Sequence, residues 1–335
     1  MSAGASVPQP RNAIVAVTLN CNARCEMCDI WQNDMHGEAR PEVFARLPSS
    51  LRDINISGGE PFLRSDLAEI LAAIKSNNPH TRLVISTNGF QPGKTERMLP
   101  ALLHVDPNLA LRVSIDGMYG THDEIRGIPN GFAKCVRTLE MCRDAGIRDL
   151  GIGFTVLEKN VHELEAVHAF AEDRDLQLSV TVALDSAIYF GADKERMRPR
   201  SSHAVRQALS RIIDVQYRKW NLKENFRAWF NQTLLEYNEQ GKRRFQCDGG
   251  AGFFYLDSFA NVYLCHILDY KIGNLKQQTW EELWTSGTAV EGRAFAARCD
   301  RCWLICTSKS QIWQRKWSIG AEMLRGKLGS LTRRA

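Results

Sequence analysis

Long apolar runs are missing from this chain of 335 residues: none reaches the ~18 consecutive residues that a membrane-spanning helix needs. The opening stretch, MSAGASVPQPRN, has no basic start followed by an apolar segment. It does not read as a secretory signal, and the chain is expected to stay in the cytoplasm. Internal repeats and low-complexity segments are absent. So is an excess of charge over most of the length. The net charge is +5, but residues 307–335 carry seven basic side chains against Glu322 alone, and the rest of the chain holds 36 basic and 37 acidic groups. A near-neutral body gives no general reason to expect a nucleic-acid partner. With 44% hydrophobic and 24% charged residues the composition is ordinary for a globular protein, which excludes disordered, collagen-like and coiled-coil architectures. The length suits one large domain, or one large and one small.

Cysteine is the residue present in quantity. Ten are many for a reducing compartment, where disulfides are rare. Cys21, Cys25 and Cys28 cluster near the start, and Cys247, Cys265, Cys299, Cys302 and Cys306 fall in the last third. Clustered thiols in such a compartment point to metal before disulfide. Cys135 and Cys142 stand apart in a helical pattern and read as plain buried residues.

Residues 12–190 alternate between two periodicities. Apolar stretches at 12–19, 53–57, 82–86, 111–115, 150–157 and 176–182 predict six strands. Helical spacing is found near 41–50, at 65–77, at 132–145 before Gly146, and at 161–172. Such alternation predicts an α/β fold of parallel βα units. Six units are too few for an eight-unit barrel and suit a partial (β/α)6 TIM-like barrel. Beyond Tyr189 the pattern changes to an α+β extension. Residues 203–240 read as helical with Gly241 as a break, 251–272 as a β-hairpin turning at Phe259-Ala260-Asn261, and 278–286 as a short helix.

The first thiols are spaced C-x3-C-x2-C. Three soft ligands in eight residues can wrap a corner of an iron–sulfur cluster and leave one iron open; they also suit a zinc loop completed by a distant residue. After the second strand comes Ser57-Gly58-Gly59-Glu60-Pro61, either a turn whose glycines let backbone approach a ligand, with Glu60 facing a ligand ammonium, or an ordinary strand-ending turn. With these two motifs at this distance, residues 12–190 resemble the radical S-adenosylmethionine (radical SAM) enzymes. Ser86-Thr87-Asn88-Gly89 and Ser114-Ile115-Asp116-Gly117 end strands where that family carries similar turns, and Arg126 resembles a family arginine near the cofactor. The resemblance implies that Cys21, Cys25 and Cys28 hold a 4Fe-4S cluster whose open iron chelates S-adenosyl-L-methionine. It implies that an electron from the cluster releases a 5′-deoxyadenosyl radical, which abstracts hydrogen from an unactivated carbon of substrate. Cofactor contacts are implied for Met27 (through its backbone), Gly58, Gly59, Glu60, Pro61, Ser86, Asn88, Ser114, Asp116, Arg126 and Val156. An external electron donor such as a flavodoxin or ferredoxin is implied as partner.

Cys247-x17-Cys265, the hairpin, the Ile272-Gly273-Asn274-Leu275 turn and Cys299-x2-Cys302 resemble the twitch or SPASM extension of that family. The count supports one auxiliary 4Fe-4S cluster, with Cys247, Cys265, Cys299 and Cys302 as expected ligands and Cys306 as spare or substitute; a structural zinc is the alternative. Four protein ligands fit electron acceptance, hence oxidation. A spare thiol near the radical fits hydrogen return, hence epimerisation. The expected divisions are an arm (1–11), the barrel (12–190), a helical linker (191–244), the cluster domain (245–306) and a basic tail (307–335).

A small polar metabolite such as a sugar or aminocyclitol is the first expectation for substrate. A ribosomal peptide ranks second, because only about a dozen residues precede the core and form no separate peptide-recognition domain. A lipid ranks third, and a non-catalytic iron–sulfur or zinc scaffold is the reading from another class. His122 and His266 are candidate bases, though a core or surface fate is commoner; Asp185 and Tyr189 are candidates for the substrate mouth. In the tail Trp313, Trp317, Leu324, Leu328 and Leu331 have near-helical spacing among basic residues. A helix resting on an anionic membrane has that pattern; the expectation is a terminal helix docked on the barrel with a solvated end.

Overall fold

The computed structural model describes residues 7–33, 36–186, 188–191, 197–199 and 202–332. The first residues of the expected arm, parts of the 191–244 linker and the last three residues of the tail lie outside that set. The six expected strands form: β1 (Asn12–Thr18), β2 (Asp53–Gly58), β3 (Arg82–Thr87), β4 (Ala110–Ser114), β5 (Leu150–Val156) and β6 (Gln177–Val182). All pair in parallel and in sequence order. Helices α1 (Pro41–Phe44), α2 (Leu67–Asn77), α3 (Pro92–Val105), α4 (Tyr119–Arg126), α5 (Gly131–Asp144) and α6 (Leu164–Glu172) lie between them. This is the partial (β/α)6 barrel. Two of these helices escape the sequence reading. Gly93 and Pro100 disguise α3, whose Pro92 sits where a helix tolerates it, in the first turn. The eight-residue α4 is short and polar, and is stopped by left-handed Gly127.

The second half comprises α7 (Ser202–Arg218), α8 (Leu222–Gln240), β7 (Phe253–Leu256), β8 (Asn261–Tyr263), β9 (Lys271–Asn274), α9 (Trp280–Thr285), α10 (Gly287–Ala296), α11 (Ile305–Gln314) and α12 (Lys316–Thr332). The hairpin does not make a sheet of its own. Strand β7 pairs in parallel with β1, Tyr255 opposite Ile14, so one nine-stranded sheet runs β6-β5-β4-β3-β2-β1-β7-β8-β9. Among the described residues no helix is long and apolar enough to cross a membrane.

Register sorts the side chains. Ala13, Val15 and Val17 pack with the helices in the main core, while Ile14 and Ala16 join Phe253, Tyr255, Cys265 and Cys302 in a second cluster on the inner face. Ser57 stands beside Ala16, and Ser114, Gly153 and Ser179 form one row across β4, β5 and β6. Alternate residues of a strand point to opposite faces. The inner wall is therefore built of small and polar side chains, and among the described residues no further strand covers its β6 side.

The strand N-termini close the floor with charge. Arg82 pairs with Asp53 (2.8 Å) and Asp149 (2.6 Å), Arg112 with Asp149 (2.7 Å), and Lys309 of α11 with Asp53 (2.5 Å). Helix α11 thus plugs the end of the barrel opposite the motif loops.

Candidate functional site

Strand β1 delivers the first thiols directly. The loop that carries them hangs on the end of α4: Arg24 N–H donates to the Arg126 carbonyl (3.1 Å) and Glu26 N–H to that of Ile125 (2.9 Å). Cys25 is buried, and Cys21 and Cys28 are half-buried. Burial pushes the Cys21 thiol up to about 11 and that of Cys28 up to about 12, against hydrogen bonds from nearby backbone. Such thiols stay protonated at neutral pH unless a metal takes the sulfur. Arg126 Nη1 lies 3.7 Å from Cys25 Sγ and Asn88 Nδ2 lies 3.8 Å from Cys21 Sγ, so two donors already face the sulfurs. Among the described residues no group of three or more ligand-type side chains closes on a single ion. Three soft thiolate donors with N–H groups aimed at them are chemically suited to an iron–sulfur cluster.

The two glycines of the turn do something closer to home than ligand approach. A Cβ at Gly58, where φ is +122°, would stand 2.1 Å from the Thr18 carbonyl oxygen, and one at Gly59 would stand 2.1 Å from that of Asn20. Gly59 N–H donates to Thr18 O (2.8 Å) and Glu60 N–H to Asn20 O (2.7 Å). The glycines clamp the backbone that leads into Cys21. The Glu60 side chain also differs from expectation. It is buried and accepts from Phe62 N (3.1 Å), Thr87 Oγ1 (2.8 Å) and Asn88 N (2.7 Å), joining the β2 and β3 turns. Pro61 starts a short 3-10 turn behind it.

Asp116 is likewise turned inward. It accepts from Arg126 Nε (2.5 Å) and Thr155 N (2.6 Å), and pairs with Arg126 Nη2 at 2.5 Å. Burial works against the Arg126 charge, but Asp116 and Cys25 outweigh it and hold the guanidinium more firmly protonated than usual. Met27 and Val156 have side chains in the main core, so only their backbone is left to face a cofactor. Ser86 Oγ donates to Asn55 Oδ1 (2.9 Å) on the inner wall, and Ser114 is half-buried on β4, two residues beyond Arg112, the register partner of Ser86. The turns thus bring Cys21, Cys25, Cys28, Asn88 and Arg126 together, with Glu60 and Asp116 as their supports.

His122 is not a base in reach of substrate. It is wholly buried, its Nδ1 accepts from Asp116 N–H (3.1 Å), and its Nε2 faces Cys135 Sγ at 3.6 Å. Loss of hydration, then Arg126, pushes its pKa down to about 3. A histidine held neutral in the fold contributes fully above its unfolded value of about 6.5, and that contribution is lost as the pH falls toward about 3. The unfolding free energy of the chain minus that of His122→Gln should therefore shrink by up to about 1.4 kcal/mol per pH unit below about pH 6.5. Urea titrations at a series of pH values check this; a constant difference would mean the ring charges without penalty.

Tyr189 links the two thiol groups. Its hydroxyl lies 2.6 Å from Ser57 Oγ and accepts from Gly58 N–H at 3.3 Å, and burial raises it to about 12. Its ring meets Tyr255 and His266 edge-on, each at 5.7 Å between centroids. Tyr255 Oη and His266 Nδ1 are buried with no hydrogen-bond partner among the described residues. They are unpartnered polar atoms on the inner wall. Tyr255 was not legible as a site residue; only its pairing with β1 brings it there.

The second thiol group forms behind that wall. Gly249 N–H donates to Cys247 Sγ (3.4 Å), Leu268 N–H to Cys265 Sγ (3.4 Å), and Arg243 Nη1 to Cys302 Sγ (3.3 Å). Donors aimed at sulfur are what a thiolate-held cluster uses. Cys265 neighbours Cys302 and Cys247, and Cys302 neighbours Cys299 and Cys306, so the five thiols of the second group lie close together. Cys306 neighbours Cys302 but sits in α11 near Lys309. Arg243 was missed: it is a buried arginine whose donors reach Cys302, Thr307 and Ser308 from the far end of α8.

Known proteins share this arrangement. The model of the radical SAM superfamily matches residues 15–171, and that of the SPASM iron–sulfur cluster-binding domain matches 247–303. The Fe-coproporphyrin III synthase of Methanosarcina barkeri is 27% identical over 88% of this chain and 82% of its own. The sporulation killing factor maturation protein SkfB of Bacillus subtilis is 22% identical over 87% of this chain and 68% of its own. Native anSMEcpe, solved with bound AdoMet and the Cp18Cys peptide, superposes with a TM-score of 0.65 at 17% identity, over 96% of this chain and 99% of that one. At that identity the likeness is one of fold.

Proposed function

As the chain belongs to the radical SAM superfamily and carries a SPASM cluster-binding domain, we propose that this enzyme oxidises a C–H position of a peptide lodged in the barrel between its two thiol groups. When bound, the clusters and S-adenosylmethionine supply a 5′-deoxyadenosyl radical and a sink for the electron left on the substrate. Cys21, Cys25 and Cys28 would hold the first cluster. Cys247, Cys265, Cys299 and Cys302 would hold the second, with Cys306 beside them. Arg126 and Asn88 face the first sulfurs, and Tyr189 fixes the Ser57-Gly58 backbone. The setting in this reading is cytoplasmic, in keeping with ten cysteines free of disulfides.

The observation that carries the reading is the shared wall. Tyr189 bonds the Ser57-Gly58 turn on one side and packs on the cluster that holds Cys265 and Cys302 on the other, so a substrate in the interior adjoins both. A peptide suits an interior lined by Asn55, Ser57, Ser86, Ser114 and Thr155 and open along β6. A relative named for peptide maturation supports it, whereas nothing supports the expected sugar or aminocyclitol. Oxidation is the outcome that an auxiliary cluster held by four thiolates favours, since such a cluster can take the electron left on the substrate.

The test is anaerobic incubation of the iron-reconstituted enzyme with reductant, S-adenosylmethionine and a panel of short peptides, with a porphyrin and a small polar metabolite run in parallel. Release of 5′-deoxyadenosine with loss of two hydrogens from the peptide is expected. Release only with a porphyrin or a small polar metabolite would overturn the peptide and leave the radical chemistry standing.

A further inference from the structure

The last helices take no part in this chemistry. Helix α12 packs on α7 and α8 through Ile319, Met323, Lys327 and Ser330. Lys327 Nζ donates to the carbonyls of Tyr217 (2.8 Å) and Lys219 (2.7 Å), capping α7, and a Cβ on Gly326 would stand 2.4 Å from the Tyr217 ring. The helix is therefore fixed on the helical layer. It docks there through one stripe and leaves the neighbouring stripe open. That second stripe is Trp317, Leu324, Leu328 and Leu331, which recur at helical spacing and are 48–84% exposed. Trp220, 89% exposed, stands beside it with Lys327 Nζ 4.4 Å from its ring centre, and Leu222 is exposed next to it.

The fully exposed charges on and just before α12 are basic. Arg315, Lys316 and Arg325 are exposed, and Arg333 and Arg334 follow in the sequence. The one acid, Glu322, accepts from Trp229 Nε1 and Arg244 Nη2 and is directed back toward α8. Tryptophans and leucines in a row, rimmed by cations and held on a rigid base, match a surface that is apolar within and anionic at its border. We propose that this face docks the enzyme on an anionic lipid bilayer, with Trp220 and Trp317 at headgroup level, the leucines at the acyl boundary, and the arginines and lysines on lipid phosphates. A second copy of the chain fits less well. Two such stripes face to face would oppose Arg315, Lys316 and Arg325 with their own kind.

The test is co-sedimentation of the reconstituted enzyme with vesicles of phosphatidylcholine containing about one quarter phosphatidylglycerol, against phosphatidylcholine alone. At least about tenfold more protein is expected on the anionic vesicles, with release at high salt. Leu324→Glu combined with Leu328→Glu alters two solvent-facing side chains, so iron content and circular dichroism should not change, while vesicle binding falls about tenfold or more. Equal binding to both vesicle types, or binding unaffected by the double substitution, overturns the proposal. A dimer in sedimentation velocity that the double substitution dissolves overturns it too, and makes the stripe a subunit interface.

Discussion

Alanine at any one of Cys21, Cys25 or Cys28 should reduce 5′-deoxyadenosine release to the uncatalysed background and lower the iron content of the reconstituted enzyme from about eight to about four atoms per chain. The two readouts together identify the step that fails. The loop around the thiols is held by backbone bonds from Arg24 and Glu26 to the end of α4, none of which involves a sulfur, so the fold survives the substitution. The auxiliary set has its own donors in Arg243, Gly249 and Leu268 and keeps its irons. On the function proposed above, what disappears is the open corner of the first cluster, where the sulfonium would be cleaved. Iron that stays near eight with any of the three alanines would show that a fourth side chain serves as ligand, and the function proposed above would fall with that result.

The second large effect is on stability. Asp116→Ala should cost about 3–5 kcal/mol, because it leaves the Arg126 guanidinium buried without its counter-charge. Out of a total that for most domains is about 5–15 kcal/mol, the urea midpoint should move far. Three bonds are lost at once: two from Arg126 and one from Thr155 N–H, which ties β5 to the end of β4. Asp116→Asn keeps the volume and an acceptor for Thr155 but not the charge, and should fall between. The loss also reaches the thiols. The carbonyls of Ile125 and Arg126 carry the cysteine loop, so iron occupancy should decline along with stability. An unchanged urea midpoint would mean that Arg126 finds water when Asp116 is gone.

Much of this was legible in the residues. The six strands follow from apolar runs, since a parallel strand covered on its outer face must be aliphatic there, and their bounds agree with the observed ones to within about a residue. The motif cysteines were legible because sulfur spacing is local. What was not legible depends on partners far apart in the chain. Glu60 and Asp116 look like ligand groups in a linear reading; only the fold shows their oxygens taken by Thr87, Asn88, Thr155 and Arg126. Gly58 and Gly59 were legible as sites of close approach, but the approaching object is the chain itself. Arg243 and Tyr255 carried no sequence signal, because each owes its place to a pairing more than fifty residues distant.

The pairing of β7 with β1 has a consequence for assembly. One flank of β1 bonds β2, about forty residues later, and the other bonds β7, some 240 residues later. During synthesis β1 therefore waits with bare amide and carbonyl groups on one flank until some 240 further residues have emerged. A bare apolar edge of that kind invites the wrong neighbour, and contacts this distant in sequence form slowly. Shortened versions that stop before residue 253 should for that reason yield insoluble material rather than a working barrel.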